Sequence, residues 1–209
     1  MNRYGIRRLP AVLVMTVALF GTVLSAQKTA VFAGGCFWGV EGVFEHVKGV
    51  QEVRSGYAGG TAATAKYYTV TTGLTNHAES VEVVYDPEAV SYETLLEIFF
   101  VVAHNPTQLN YQGADVGRHY RSVIFYVSDE QRQAAQSAIA DIERRGLYPD
   151  KIVTALDPLD KFYPAEDYHQ DFMRKNPEDP YVVYWDWPKI EHLEQEYPAL
   201  YTDIGWSRR

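Results

Sequence analysis

The chain has 209 residues, a formal net charge of −8, and 46% hydrophobic against 22% charged residues. That is the make-up of one ordinary globular domain and excludes a disordered or fibrous chain. The acidic balance, without a basic stripe or zinc-finger spacing, argues against nucleic acid as a partner. Aromatic content is high, with 16 Tyr, 9 Phe and 4 Trp, which fits either a dense core or an aromatic-lined pocket.

Residues 1–26 differ from the rest. Arg3, Arg7 and Arg8 precede an apolar stretch from Leu9 to Leu24, and the small residues Ser25 and Ala26 follow. A basic start, an apolar centre and a small-residue exit predict a secretory signal peptide cleaved near Ala26. A retained membrane anchor is the alternative. The expected product is residues 27–209, a single catalytic domain exported to the periplasm or secreted, monomeric and without stable membrane association.

Thr29 to Ala33 then reads as a short buried strand ending at Gly34-Gly35. From Phe37 the period becomes helical, with Phe37, Val40, Val43, Phe44 and Val47 on one face and Gly49 closing it. Val50 to Tyr57 is a second strand. The segment from Thr61 to His77 is left undefined, and Ser80 to Tyr85 alternates as a third strand before Asp86-Pro87. Ser91 is placed to cap a helix carrying Leu95, Leu96, Phe99 and Val102. Arg121 to Val127 is a fourth strand, followed by a helix opened by a Ser128/Gln131 capping box and ended by Gly146. A further strand is expected over Lys151 to Leu156 and a short helix over Ala165 to Lys175. The Pro- and aromatic-rich remainder predicts a long irregular C-terminal coil. Strand, helix, strand, strand, helix, strand predicts an α+β, ferredoxin-like two-layer sandwich with a split βαβ core.

Cys36 is the single cysteine, so no internal disulfide can form. At a strand-to-helix turn between glycines, its sulfur would meet unpaired backbone N–H groups and the positive end of a helix dipole, both of which favour a thiolate. A buried, inert cysteine in a tight turn fits the local pattern as well. The six histidines show no metal-ligand spacing, and no metal is expected.

Gly34-Gly35-Cys36-Phe37-Trp38-Gly39 resembles the nucleophile motif of the A-type peptide methionine sulfoxide reductases. The resemblance continues in order and spacing through Gly56-Tyr57-Ala58-Gly59-Gly60, His77-Ala78-Glu79, Asn110 to Gly117, Tyr120-Arg121-Ser122 and Pro164 to Gln170. It implies thiol-dependent reduction of the S epimer of methionine sulfoxide, free or in peptides and proteins, as a repair reaction passing through a Cys36 sulfenic acid. It further implies Cys36 as nucleophile, Glu79 as the acid on the sulfoxide oxygen, and Tyr67 and Tyr120 as hydroxyls holding that oxygen. Phe37 and Trp38 would cage the substrate methyl group and Asp115 would shape the pocket. Each of these residues alone has a plainer reading in core, turn or surface; their joint register with Cys36 is what favours the functional one. No cofactor is implied beyond an external thiol reductant, a thioredoxin-like protein or a small thiol. The chain departs from the family pattern in lacking C-terminal cysteines, in Thr71 where a cysteine is frequent, and in Tyr111 where Arg is expected. Those departures bear on recycling of the nucleophile, not on the first chemical step. A thiol peroxidase or a non-catalytic methionine-binding module are the competing functions.

Overall fold

The computed structural model describes Met1 and residues 27–206, so the signal segment expected over 1–26 lies, Met1 apart, outside the described residues. Strand β1 (Lys28–Ala33) runs through the middle of the sheet. Successive side chains of a strand point to opposite faces. Ala30 and Phe32 thus enter the main core, while Val31 and Ala33 join Ala58, Ala78, Val123 and Phe125 on the other face. Burial on both faces is why this strand reads as an uninterrupted apolar run.

The chain continues through α1 (Phe37–Glu45), β2 (Val50–Ala58), α2 (Tyr67–Val70), β3 (Ala78–Tyr85) and α3 (Tyr92–Ile98), which a π-helical turn extends over Phe99–Ala103. A small ladder of β4 (Tyr111–Gln112) and β5 (Asp115–Val116) precedes β6 (Val123–Tyr126), α4 (Asp129–Arg145), β7 (Ala155–Pro158) and β8 (Phe162–Pro164). Helix α5 (Phe172–Lys175), a second π-helical turn over Val182–Asp186 and α6 (Trp187–Glu196) follow. The six-stranded sheet has the order β7-β6-β1-β3-β2-β8. All its pairings are antiparallel except β6 with β7. The fold is mixed α+β. Among the described residues no helix is long and apolar enough to cross a membrane.

Local signals set several boundaries. Ser91 Oγ accepts the Thr94 N–H at 3.1 Å, and Ser128 Oγ accepts the Gln131 N–H at 3.3 Å. The return half of that second cap differs from a capping box: Gln131 Oε1 takes the Val127 N–H, and its Nε2 reaches Thr29 O in β1. Gly146 ends α4 in the left-handed conformation at φ 63°, as its position in the sequence predicts.

Three expectations need correction. The strand sought over Lys151 to Leu156 is displaced to Ala155–Pro158, where it adds to the edge beside β6. The helix sought over Ala165 to Lys175 is confined to Phe172–Lys175, because β8 pairs with β2 just before it and Asp171 turns left-handed at φ 52°. The C-terminal segment is not an irregular coil. Trp187, Ile190 and Leu193 recur at threefold spacing and are buried, giving α6 an apolar stripe that packs against α1. The prolines around it hid that period, and Pro188 is tolerated because it falls at the helix start, where its missing N–H breaks little.

Since α6 belongs to the core, Leu193→Ala should cost about 2–5 kcal/mol of stability. Denaturant unfolding checks this; a loss below about 1 kcal/mol would mean that the helix is only loosely docked.

Candidate active site

The turn between β1 and α1 carries Cys36, which stands at the N-cap of α1 and is 8% exposed. Gly35 adopts φ +96°, a conformation that favours glycine, and a Cβ there would lie 2.7 Å from the Gln112 side chain. The glycine therefore permits both the turn and the close approach of the β4 segment to the cysteine.

Glu79 lies within β3, opposite Tyr57 of β2, and is 2% exposed. It sits inside the strand, not ahead of it as the sequence pattern suggested. Its Oε2 accepts the Phe37 N–H at 3.2 Å, so the first peptide group of α1 ties the carboxyl to the residue after Cys36. Burial pushes the Glu79 carboxyl up to about 8; the Phe37 hydrogen bond opposes that shift and the Asp115 charge adds to it. Burial likewise pushes the Cys36 thiol well above its ordinary value, with the carboxylates of Glu79, Asp186 and Asp115 adding and the Trp38 N–H opposing. The thiolate expected from the helix terminus is thus not the resting form. Both groups are neutral at pH 7.

Tyr67 and Tyr120 converge on the same place. Burial raises the Tyr67 hydroxyl to about 12, and the charges of Glu79 and Cys36 add to the shift. Burial raises Tyr120 further, with Glu79, Cys36, Asp115 and Tyr67 contributing. Both are therefore hydrogen-bond donors at any working pH. Asp115 accepts a hydrogen bond from the Tyr181 hydroxyl. Phe37 and Trp38 separate: Phe37 is buried against Tyr57 and His169, at 5.9 and 5.0 Å between ring centroids. Trp38 is half-buried, stacked on Phe172 at 3.6 Å and edge-on to Tyr181 at 5.8 Å.

The residues that brace this cluster had no role assigned from sequence. Glu166 accepts the Tyr57 hydroxyl at 2.8 Å and the Tyr67 N–H at 3.0 Å, fixing the start of α2. Burial lowers the His169 imidazole below its ordinary value, opposed by Glu166. Its Nδ1 faces the Trp38 indole Nε1 at 3.1 Å; the indole is a donor only, so Nδ1 accepts. Gln170 grips the Ser55 N–H and carbonyl at 3.0 and 2.9 Å. Glu166, His169 and Gln170 all belong to the Pro164-to-Gln170 motif, which was the available signal. Asp186 and Lys189, paired at 3.2 Å, come from the segment misread as coil. Asp186 is wholly buried against Gly39, where no Cβ would fit. Among the described residues no group of three His, Cys, Asp or Glu side chains could hold a metal ion.

The arrangement can protonate an oxygen bound between Glu79 and two tyrosine hydroxyls while a sulfur nucleophile attacks the atom bearing it.

A family model described as peptide methionine sulfoxide reductase matches residues 28–200. Peptide methionine sulfoxide reductase MsrA 2 of Mesorhizobium japonicum is 57% identical over 177 residues, covering 85% of this chain and 91% of that protein. MsrA 2 of Synechocystis is 53% identical, covering 84% and 82%. Among solved structures, reduced Mxr1 of Saccharomyces cerevisiae has a TM-score of 0.67 at 32% identity, covering 73% of this chain and 87% of that one. Methionine sulfoxide reductase A of Corynebacterium diphtheriae has a TM-score of 0.63 at 35% identity, covering 77% and 81%.

A raised thiol pKa means that Cys36 is neutral at and below pH 9.0 and becomes a thiolate only at higher pH. Its alkylation by iodoacetamide should therefore still be climbing as pH passes 9.0. Glu79→Gln should shift that curve to lower pH by removing a neighbouring negative charge. A plateau already reached at neutral pH would contradict this.

Proposed function

The chain belongs to the peptide methionine sulfoxide reductase family, and on that footing we propose that Cys36 and Glu79 carry out its reaction on the S epimer of methionine sulfoxide. The activity is thiol-dependent reduction of methionine sulfoxide, which repairs oxidised protein. One observation carries the assignment of the acid: Glu79 is a buried carboxyl, raised to about 8, held by the N–H next to the only cysteine. An ordinary Glu, with a pKa of ~4.3, would be ionised at pH 7 and could not donate.

Sulfoxide oxygen is a poor leaving group until it is protonated. In the proposed step the oxygen lies among Glu79, Tyr67 and Tyr120, and Glu79 gives it a proton as Cys36 Sγ attacks the sulfoxide sulfur. The resulting Glu79 carboxylate takes up the proton that Cys36 loses. Attack forms an Sγ–S bond to a sulfur that now carries a hydroxyl; that hydroxyl then moves to Cys36 Sγ as the Sγ–S bond breaks, so methionine leaves as the sulfide and Cys36 is left as a sulfenic acid, with no net proton gained or lost. Trp38 and Phe37 offer the apolar wall for the methyl group, Trp38 by contact and Phe37 from beneath. Asp115, clamped by Tyr181, shapes the opposite side.

A thiol peroxidase would want Thr and Arg around the thiolate; a buried acid and two tyrosines suit sulfoxide better. A methionine-binding module would have no use for a raised carboxyl beside a thiol. Because the sequence holds one cysteine, a thiol from outside the chain must reduce the sulfenic acid, either a small molecule or a thioredoxin-like protein. We also propose that residues 1–26 are a signal peptide and that the enzyme works outside the cytoplasm. For the fold, the finer reading is a ferredoxin-like split βαβ core. The central strand order β6-β1-β3-β2, antiparallel throughout, supports it.

Without reductant, each enzyme should form one equivalent of methionine from the S epimer and none from the R epimer. Cys36→Ser should abolish this, and equal use of both epimers would refute the assignment. The single-turnover rate should be flat below about pH 8 and fall above it, since Glu79 donates only in its protonated form, which is lost as pH rises through about 8. Glu79→Gln should slow the step by roughly 10²–10⁴ and remove that alkaline limb. Mass spectrometry of the exported protein should find Gln27 at or near its N-terminus; recovery of Met1 in a membrane fraction would favour an anchor.

A further inference from the structure

Arg121 stands in the Tyr120-Arg121-Ser122 motif, and the proposed reaction gives it no part. Its place follows from the sheet. β1 pairs antiparallel with β3 as far as Phe32–Val81 and with β6 as far as Ala33–Val123, then leaves at Gly34 for the turn that carries Cys36. The start of β3, Ala78 to Ser80, therefore runs on past β1, paired among the described residues with β2 alone. Glu79 lies in that stretch, and Tyr120 ends a 3₁₀ turn, Arg118–Tyr120, just ahead of β6. The acid and the hydroxyl expected to share one oxygen are thus borne by two segments that β1 no longer joins.

Arg121 bridges them. Its Nη2 donates to Asn76 O at 2.8 Å, and its Nη1 donates to His77 O and to Arg118 O, each at 3.1 Å. His77 comes two residues before Glu79, and Arg118 two before Tyr120. Arg118 adds a second link, from its Nη1 to Asn76 Oδ1 at 3.1 Å. Gly59, where a Cβ would lie 3.0 Å from Asn76 O and 3.2 Å from Arg121 Nη2, leaves room for the guanidinium. A guanidinium is planar and rigid, so one group bonded to three carbonyls fixes their separation in a way that a flexible ammonium does not.

We propose that Arg121 is a positioning residue that sets the distance between Glu79 and Tyr120. The proposal rests on the reading in which those two groups grip the sulfoxide oxygen, and it names what holds them in register. Arg121 acts through backbone carbonyls of the two segments, not on the sulfoxide itself. Glu79 and Tyr120 stabilise the departing oxygen only if both reach it in one geometry, and a misplacement of ~1 Å can cost about 10²-fold in rate.

The test is the first-turnover burst of methionine from a peptide sulfoxide, measured on the full chain without reductant. Arg121→Met should slow the rate constant at saturating sulfoxide by about tenfold or more, the cost of a displaced group. The burst should stay near one equivalent, and the half-saturating concentration should move far less than the rate. Arg121→Lys keeps the charge but not the fork, and should stay slow. In a Tyr120→Phe background, Arg121→Met should cost roughly threefold less than in the wild type, because members of one network are not additive. A Lys variant at the wild-type rate would make charge the operative property and overturn the proposal. Full additivity with Tyr120→Phe would overturn it too, as would a reduced burst at an unchanged rate constant, the mark of a partly unfolded protein. If the variants do not fold, the wild type still decides by NMR: Arg121 should show separate, slowly exchanging Nη–H signals, and a freely rotating guanidinium would end the proposal. A wild type that forms no first-turnover methionine would sink the reductase reading itself, and this inference with it, a failure distinct from a slow variant.

Discussion

The hydrogen bond from the Phe37 N–H to Glu79 Oε2 joins the two halves of the proposed reaction centre. One end belongs to the first turn of α1, the other to the start of β3, and 42 residues separate them along the chain. The bond requires the β1 turn to bring Cys36 down onto the sheet. It also requires β3 to present Glu79 toward that turn, which its register against Tyr57 on β2 ensures. Because the carboxyl is buried, the favourable state is the neutral one, and a neutral carboxyl is what proton donation needs. Stability and chemistry thus ask the same thing of Glu79.

Two opposed influences act on Cys36, and their sizes decide the outcome. A helix N-terminus stabilises an anion by about 0.3–1 kcal/mol, whereas full burial can move a pKa by roughly 3–5 units. Burial wins, so the sulfur rests as a thiol. In the proposed reaction nucleophilicity is generated during the step itself, when the proton Glu79 gives up leaves a carboxylate able to take the one on Cys36. A resting thiol is also slower to oxidise further than an exposed thiolate.

The C-terminal third of the chain supplies the frame. Glu166 holds Tyr57 and the start of α2, His169 receives the Trp38 indole, and Gln170 locks onto β2 at Ser55. Farther on, the π-helical turn and α6 bring Tyr181, Asp186 and Lys189 to the nucleophile. In a chain with one cysteine, that segment sets aromatic and charged groups beside Cys36.

The sequence by itself determined the elements governed by short-range rules: the apolar run of β1, the Ser91 and Ser128 caps, the Gly146 stop, and the turn that sets Cys36 at a helix start. It also supplied the candidate reacting residues: Cys36, Glu79, Tyr120 and Asp115 lie in the motifs that carry the family resemblance, and that resemblance added Tyr67. Only the tertiary structure decided the protonation of Cys36 and Glu79, because burial is a property of what packs around a group and not of its neighbours in sequence. It alone divided Phe37 from Trp38, one beneath the site and the other at its wall. It alone turned the expected C-terminal coil into α6, since the stripe of Trp187, Ile190 and Leu193 is stabilised by contact with α1 and the local signal was masked by proline. The bracing by Glu166 and His169 was hidden for the same reason: their partners lie about a hundred or more residues away, beyond the reach of any pattern based on local period.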